Sequence, residues 1–274
     1  LLLAGLYAEG ITKIIGPAPC RDHTERMLKG FGYPSLEVLP ANSMDSGSIT
    51  LEGGHDLRAT DIDVPADISS AAFFLVAAAI TPGSSLMLEH VGTNPTRIGI
   101  INLLLQMGAN IEFHNERLVG GESVADLSVE YRPLHGIVIP QEQIPLAIDE
   151  FPALFIAAAC AEGETILHGA EELRVKESDR IEAMASGLAI LGIETETFAD
   201  GIRIEGGQIG GGAIDSHGDH RIAMAFTVAA LRASEPITVI NCANVATSFP
   251  GFVELAQSVG IQVSALGGGS GNSP

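Results

Sequence analysis

The feature that most constrains this chain is a pattern that returns four times. An apolar residue followed by glycine closes a helical stretch at Phe31-Gly32, Met107-Gly108, Leu191-Gly192 and Val259-Gly260. Glycine recurs there because a helix stops most readily on a residue that tolerates the left-handed backbone. Each pair belongs to a similar unit: an apolar, mostly alanine-rich helix, a Gly or Pro turn, a β-branched strand, an amphipathic helix and a further strand. One copy runs through "LLLAGLYAEGITKIIGP" and "RDHTERMLKGFG", the next through "ISSAAFFLVAAAITPGSSLMLEHVG" and "NPTRIGIINLLLQMGANIEF". A third reads "IDEFPALFIAAACAEGETILHGA" then "RVKESDRIEAMASGLAILGIETETF", and a fourth "GDHRIAMAFTVAALRASEPITVINCA" then "SFPGFVELAQSVGIQV". Helices alternating with strands predict an α/β or α+β protein. The first copy is truncated at its front. The other three predict one complete three-repeat domain over 62–263, preceded by a remnant of a second domain over 1–61 and followed by a linker-like tail over 264–274. The stretch "ITLEGGHDLRATDIDVP" marks the expected boundary.

The apolar runs are about a dozen residues long, too short to span a bilayer, so they read as buried helices. Three cysteines, Cys20, Cys160 and Cys242, have neither an even count nor metal-ligand spacing. They predict free thiols in a reducing, cytoplasmic compartment, with Cys160 a small buried hydrophobe. No cofactor or metal is implied. The formal net charge of −20 repels nucleic acid and anionic membranes, so neither is an expected partner. The same field opposes small anions, and any anion site must then be built from the 14 Lys and Arg of the chain.

Three of those cations fall within "EELRVKESDR", Glu171 to Arg180, just before a helix whose apolar stripe is Ile181, Met184, Ala185, Leu188 and Leu191. Carried one turn backwards, that face holds Glu177 and Arg180, with Lys176 four residues before Arg180. Cations at a helix N-terminus are unfavourable by about 0.3–1 kcal/mol each, so something negative should compensate. One reading is a local salt-bridge cluster with Glu177 and Asp179. The other is a bound anion, and the placement recurs. Asp219 caps a helix with His220 and Arg221 in its first turn, Arg21 precedes "DHTERML", and Arg97 precedes another apolar run. Free helix N–H groups and guanidinium forks would together hold phosphate or carboxylate. Asp149, with Glu150 behind it, opens the helix of "IDEFPALF". It is either an N-cap or a carboxylate able to take a proton from a substrate hydroxyl.

Six segments, "RDHTERML", "ISSAAFFLVAA", "NPTRIG", "IDEFPAL", "LRVKESDR" and "GDHRIAMAF", together resemble the EPSP synthase (3-phosphoshikimate 1-carboxyvinyltransferase) family, in that family's order from Leu1 to about Val263. "NPTR" and "ATSFP" resemble its class II bacterial form, known for glyphosate-tolerant members. The resemblance implies an inside-out α/β barrel of repeated βαβαββ units in two domains, with helix N-termini facing a cleft. It implies transfer of the enolpyruvyl group of phosphoenolpyruvate to the 5-hydroxyl of shikimate 3-phosphate, with release of phosphate, on the shikimate pathway to aromatic amino acids. By position, Asp149 matches the catalytic aspartate, Lys176 the lysine beside the hydroxyl, and Glu177 the glutamate that serves the methylene carbon. Arg180 and Arg221 match the pair gripping phosphoenolpyruvate, with His220 close by, and Arg21 matches an arginine on the shikimate phosphate. Arg97 stays unassigned, and Thr247 stands where some members carry lysine. The family's N-terminal motifs have no match here, so a complementary N-terminal portion is the expected partner for activity. The related enolpyruvyltransferase acting on UDP-N-acetylglucosamine is the enzymatic alternative, and a non-catalytic anion-binding fragment is the other.

Overall fold

The computed structural model describes residues 1–16, 20–39 and 47–265. They form two compact units: Leu1–Arg132 with Val138–Phe151, and Pro133–Ile137 with the chain from Pro152 onward. This grouping follows contacts, and it cuts the chain at other places than the repeat-based boundary after residue 61.

In the first unit the opening copy supplies α1 (Leu2–Gly5), β1 (Ile11–Gly16), α2 (His23–Gly30), β2 (Leu36–Leu39) and β3 (Gly47–Glu52). Its elements enclose a small core of Leu2, Leu28, Tyr33 and Leu51. The second copy supplies α3 (Ile68–Ile80), β4 (Ser85–Gly92), α4 (Gly99–Gln106), β5 (Asn110–Val119) and β6 (Glu122–Glu130), after which comes the short α5 (Ile144–Ala147). Helix α6 (Phe151–Ala159) leads into the second unit's β7 (Glu164–Leu167), α7 (Arg180–Ile190), β8 (Thr195–Phe198) and β9 (Gly201–Glu205). The last copy has β10 (Gly212–Asp215), α8 (His220–Ala229), β11 (Ile237–Ile240), α9 (Val245–Ser248) and α10 (Phe252–Ser258).

The alanine-rich runs are helices for the reason the sequence gives. They are apolar all round, and a helix with no polar face must be enclosed on every side. In α3 all residues but Ser70 are buried, and the Asp67 carboxylate caps it by accepting from the Ser70 N–H at 3.0 Å. All four glycines of the closing pairs adopt positive φ, from 70° at Gly32 to 94° at Gly260. Each forms the same double lock, in which the residue after glycine returns its N–H to a carbonyl five positions earlier. Tyr33 bonds to Leu28, Ala109 to Leu104, Ile193 to Leu188 and Ile261 to Ala256, all at 2.9–3.0 Å. The residue after each glycine is buried, which stitches the helix end to the core.

Three sheets share one order, in which the third strand of a copy lies between the first two and antiparallel to both: β1-β3-β2, β4-β6-β5 and β7-β9-β8. The sequence reading had one strand after each amphipathic helix. Two are present because glycines at 120 and 121, with φ of 58° and 89°, turn β5 directly back into β6. Among the described residues, the strand that opens a repeat is complete only in the last copy, where β10 runs parallel to β11. In two earlier copies it survives as a single parallel bridge, Ala66 to Val91 and His135 to Glu162. The repeat is therefore βαβαββ, as the resemblance implies. The strand expected after Val259-Gly260 does not form over residues 261–265, and residues 266–274 of the expected tail lie outside the described residues.

Candidate functional site

Arg21 and Asp149 meet in the first unit. Arg21 sits just before the α2 cap residue Asp22, and Asp149 lies in the turn between α5 and α6. The Arg21 Nη2 donates to Asp149 Oδ2 at 2.5 Å, with the side chains 42% and 17% exposed. The carboxylate read from sequence as a cap or a proton acceptor is thus engaged with a guanidinium 128 positions away. Next to it, buried Glu150 accepts the Ser69 hydroxyl, and Ser69 in turn accepts from Arg97 Nη2 at 2.6 Å. Arg97 also reaches Asp67 at 3.3 Å. Ser69 thus ties the start of α3 to the turn carrying Asp149, and Arg97, left unassigned from sequence, braces that start through Ser69 and Asp67.

In the second unit the "EELRVKESDR" stretch is not a helix extended backwards. Glu171–Val175 is a 3-10 turn, Lys176 has an extended backbone, and α7 begins only at Arg180. The cause is Asp179, whose side chain accepts the Glu182 N–H at 3.0 Å as the helix cap and so ends the turn-by-turn spacing. Its other oxygen takes Arg174 at 2.7 Å. Lys176 pairs with Glu172, and Glu177 with Arg180 at 2.5 Å. The local salt-bridge cluster considered from sequence is present.

Arg180 is more than part of that cluster. It is 1% exposed, and its Nε donates at 2.8 Å to Asp219, which is fully buried. Asp219 is the predicted cap of α8, accepting the Arg221 N–H at 2.8 Å, and it also accepts from Ser178. Burial pushes its carboxyl upward, but the Arg180 hydrogen bond and charge, with the Arg221 N–H and Ser178 hydroxyl, outweigh this and hold it below the ordinary carboxylate value. His220 and Arg221 follow in the first turn of α8. Burial, then the charge of Arg221, lowers the His220 pKa, so the imidazole favours its neutral form.

What aligns α7 with α8 is Gly187. A Cβ built there would lie 2.2 Å from the Phe226 ring, so the helices approach as closely as glycine permits. That closeness carries the Arg180 guanidinium to Asp219, 39 positions on. The structure thus brings Glu177, Arg180, His220 and Arg221 to the starts of α7 and α8, with Lys176 just before them, and brings Arg21 to Asp149. Sequence reasoning missed Asp219 as an ion-pair partner. Its cap position was legible, but a partner so distant in sequence was not. Cys160 and Cys242 are free thiols, and burial pushes the Cys160 thiol up to about 12. No helix among the described residues is long and apolar enough to cross a membrane.

A repeat-built α/β chain with acids and bases gathered at helix starts defines a class, and solved structures share its fold. The enolpyruvyl transferase NikO from Streptomyces tendae superposes with a TM-score of 0.72 at 20% identity, over 94% of this chain and 57% of that one. The EPSP synthase of Acinetobacter baumannii gives 0.88 at 56% identity, over 95% of this chain and 59% of that one. The family model for EPSP synthase (3-phosphoshikimate 1-carboxyvinyltransferase) matches residues 1–255, and the chain belongs to that family. Relatives with that enzyme's name are 63% identical in Methylococcus capsulatus, over 96% of this chain and 59% of the relative, and 61% identical in Halorhodospira halophila, over 97% and 59%. The chain spans somewhat under two thirds of the length of these relatives.

Proposed function

We propose that this chain is the C-terminal portion of an enzyme that transfers the enolpyruvyl group of phosphoenolpyruvate to the 5-hydroxyl of shikimate 3-phosphate and releases phosphate. The observation that carries the proposal is the buried Arg180–Asp219 pair flanked by Glu177, His220 and Arg221 at two helix starts, in a chain of this family. Addition–elimination needs fixed cations on the phosphate and carboxylate, one group to take the hydroxyl proton, and another to protonate and later deprotonate the methylene. Arg180 and Arg221 are assigned to phosphoenolpyruvate, with His220 beside them, and Arg21 to the shikimate phosphate. Asp149 takes the hydroxyl proton with Lys176 assisting, and Glu177 serves the methylene carbon. Arg180 suits a gripping role because its orientation is fixed by Asp219 before any ligand arrives, so little ordering cost remains. The repeat-based division (1–61, 62–263 and a tail 264–274), a cytoplasmic location and dependence on a complementary N-terminal portion belong to the same proposal. The chain's share of its relatives' length supports the last.

The test is calorimetric titration of shikimate 3-phosphate into this chain, alone and with the N-terminal portion of the Methylococcus capsulatus relative. Heat only with both portions is the expected result. Equal binding by this chain alone favours a self-sufficient anion-binding fragment, and no heat in either case overturns the substrate. In the assembled enzyme, Arg221→Ala should weaken phosphoenolpyruvate at least tenfold more than shikimate 3-phosphate, the order expected for one lost charge-assisted contact. Equal losses would refute its assignment.

A further inference from the structure

The "NPTRIG" segment holds a residue that the proposed chemistry does not use. Asn94 is 2% exposed and uses both ends of its amide. Its Oδ1 accepts the Thr96 N–H and hydroxyl, each at 2.8 Å. Its Nδ2 donates to Asp22 Oδ1 at 2.7 Å and to Glu122 Oε2 at 2.9 Å. Two carboxylates on one side require that side to be the nitrogen. Around this hub Arg26 pairs with Asp22 at 2.8 Å and donates to the Gly121 carbonyl, and His23 meets the other oxygen of Glu122 at 2.7 Å.

This network joins two pieces of the first unit, beside the Arg21–Asp149 pair. The elements over residues 1–52 pack on one another around their own small core and make at most isolated contacts with the helices and strands that follow. The connecting stretch 54–64 is exposed and irregular. A joint made of hydrogen-bonded charges rather than apolar surface holds direction more than it holds strength. Its position matters because Asp22 is the residue after Arg21, and Arg21 reaches Asp149.

We propose that Asn94 is a positioning residue, whose amide ties the start of α2 to the β5–β6 turn and thereby holds Arg21 against Asp149. What that pair acts on rests on the reading given above; the placement itself does not. The variant that isolates it is Asn94→Asp, which keeps the size and the Thr96 contacts but sets a third carboxylate between Asp22 and Glu122. Adding Glu122→Gln returns a donor to the hub, now facing the new carboxylate.

The experiment is the rate at which a short bis-maleimide joins Arg21→Cys to Asp149→Cys, with Cys20, Cys160 and Cys242 replaced by serine. The native ion pair is missing from every sample, so the comparison reads the hub alone. Cross-linking should slow roughly tenfold with Asn94→Asp, as expected for a lost hydrogen bond to a charged group, and recover with Asn94→Asp plus Glu122→Gln. If Asn94→Asp does not fold, Glu122→Ala at the hairpin rim should slow the reaction about threefold. An unchanged rate, or slowing that Glu122→Gln does not reverse, overturns the placement. Since no substrate enters the assay, that failure stands apart from a failed shikimate 3-phosphate titration.

Discussion

Two carboxylate–guanidinium pairs that involve proposed site residues, Arg180–Asp219 and Arg21–Asp149, are built in opposite ways. Arg180 and Asp219 are 1% and 0% exposed, on two helices pressed together at a glycine. Arg21 and Asp149 are 42% and 17% exposed, and Arg21 belongs to a segment joined to its neighbours by a polar network. The buried pair cannot part without stranding a charge away from water. The exposed pair can exchange partners at little cost. One is suited to hold a fixed geometry, the other to give way when a ligand anion competes for Arg21.

The largest effect should come from breaking the buried pair. Arg180→Met leaves Asp219 ionised and enclosed, a situation that costs about 3–5 kcal/mol, read as a lowered urea midpoint. Asp219→Asn in the same chain should recover much of that loss, because the stranded charge is gone. No recovery would mean that Arg180 stabilises through packing of its stem instead.

Next is the contact that sets the pair. Gly187→Ala puts a methyl into the Phe226 ring, and overpacking of this kind costs about 1–3 kcal/mol. The cost should shrink in Gly187→Ala with Phe226→Leu, where the ring has gone. Gly192→Ala is the milder case, with open space around it but a φ of 84°. It should lose about 1 kcal/mol by chemical denaturation, and a neutral result would mean the helix end relaxes without its left-handed residue.

These glycines also show what the sequence could disclose. The four at the closing pairs were legible because the requirement is local: a helix stop writes its own residue. Gly187 was not, since its reason is a phenylalanine on another helix. The same holds for charges. Asp219 occupies a cap position that its neighbours announce, whereas the Arg180–Asp219 and Arg21–Asp149 pairs join residues far apart in the chain. Helical spacing misled at Lys176, because periodicity cannot tell where a cap ends the helix. The paired strands β5–β6 were missed for a different reason: Gly120-Gly121 between them is a local hairpin signal that the repeat pattern, read for its helices, passed over.

The smallest expected effect decides the comparison. A double-mutant cycle on Arg21→Ala and Asp149→Ala should give a coupling of only about 0.2–1 kcal/mol, as for ion pairs open to water. The coupling should fall further as salt is raised from 0.05 to about 0.5 M, since the screening length then drops below the scale of the site. A coupling of about 2 kcal/mol or more, insensitive to salt, would place this pair with Arg180–Asp219 as a fixed structural bond. Arg21 would then be too firmly held to turn toward a phosphate. A weak, screened coupling leaves Arg21 free to exchange one anion for another, which is the property its proposed role requires.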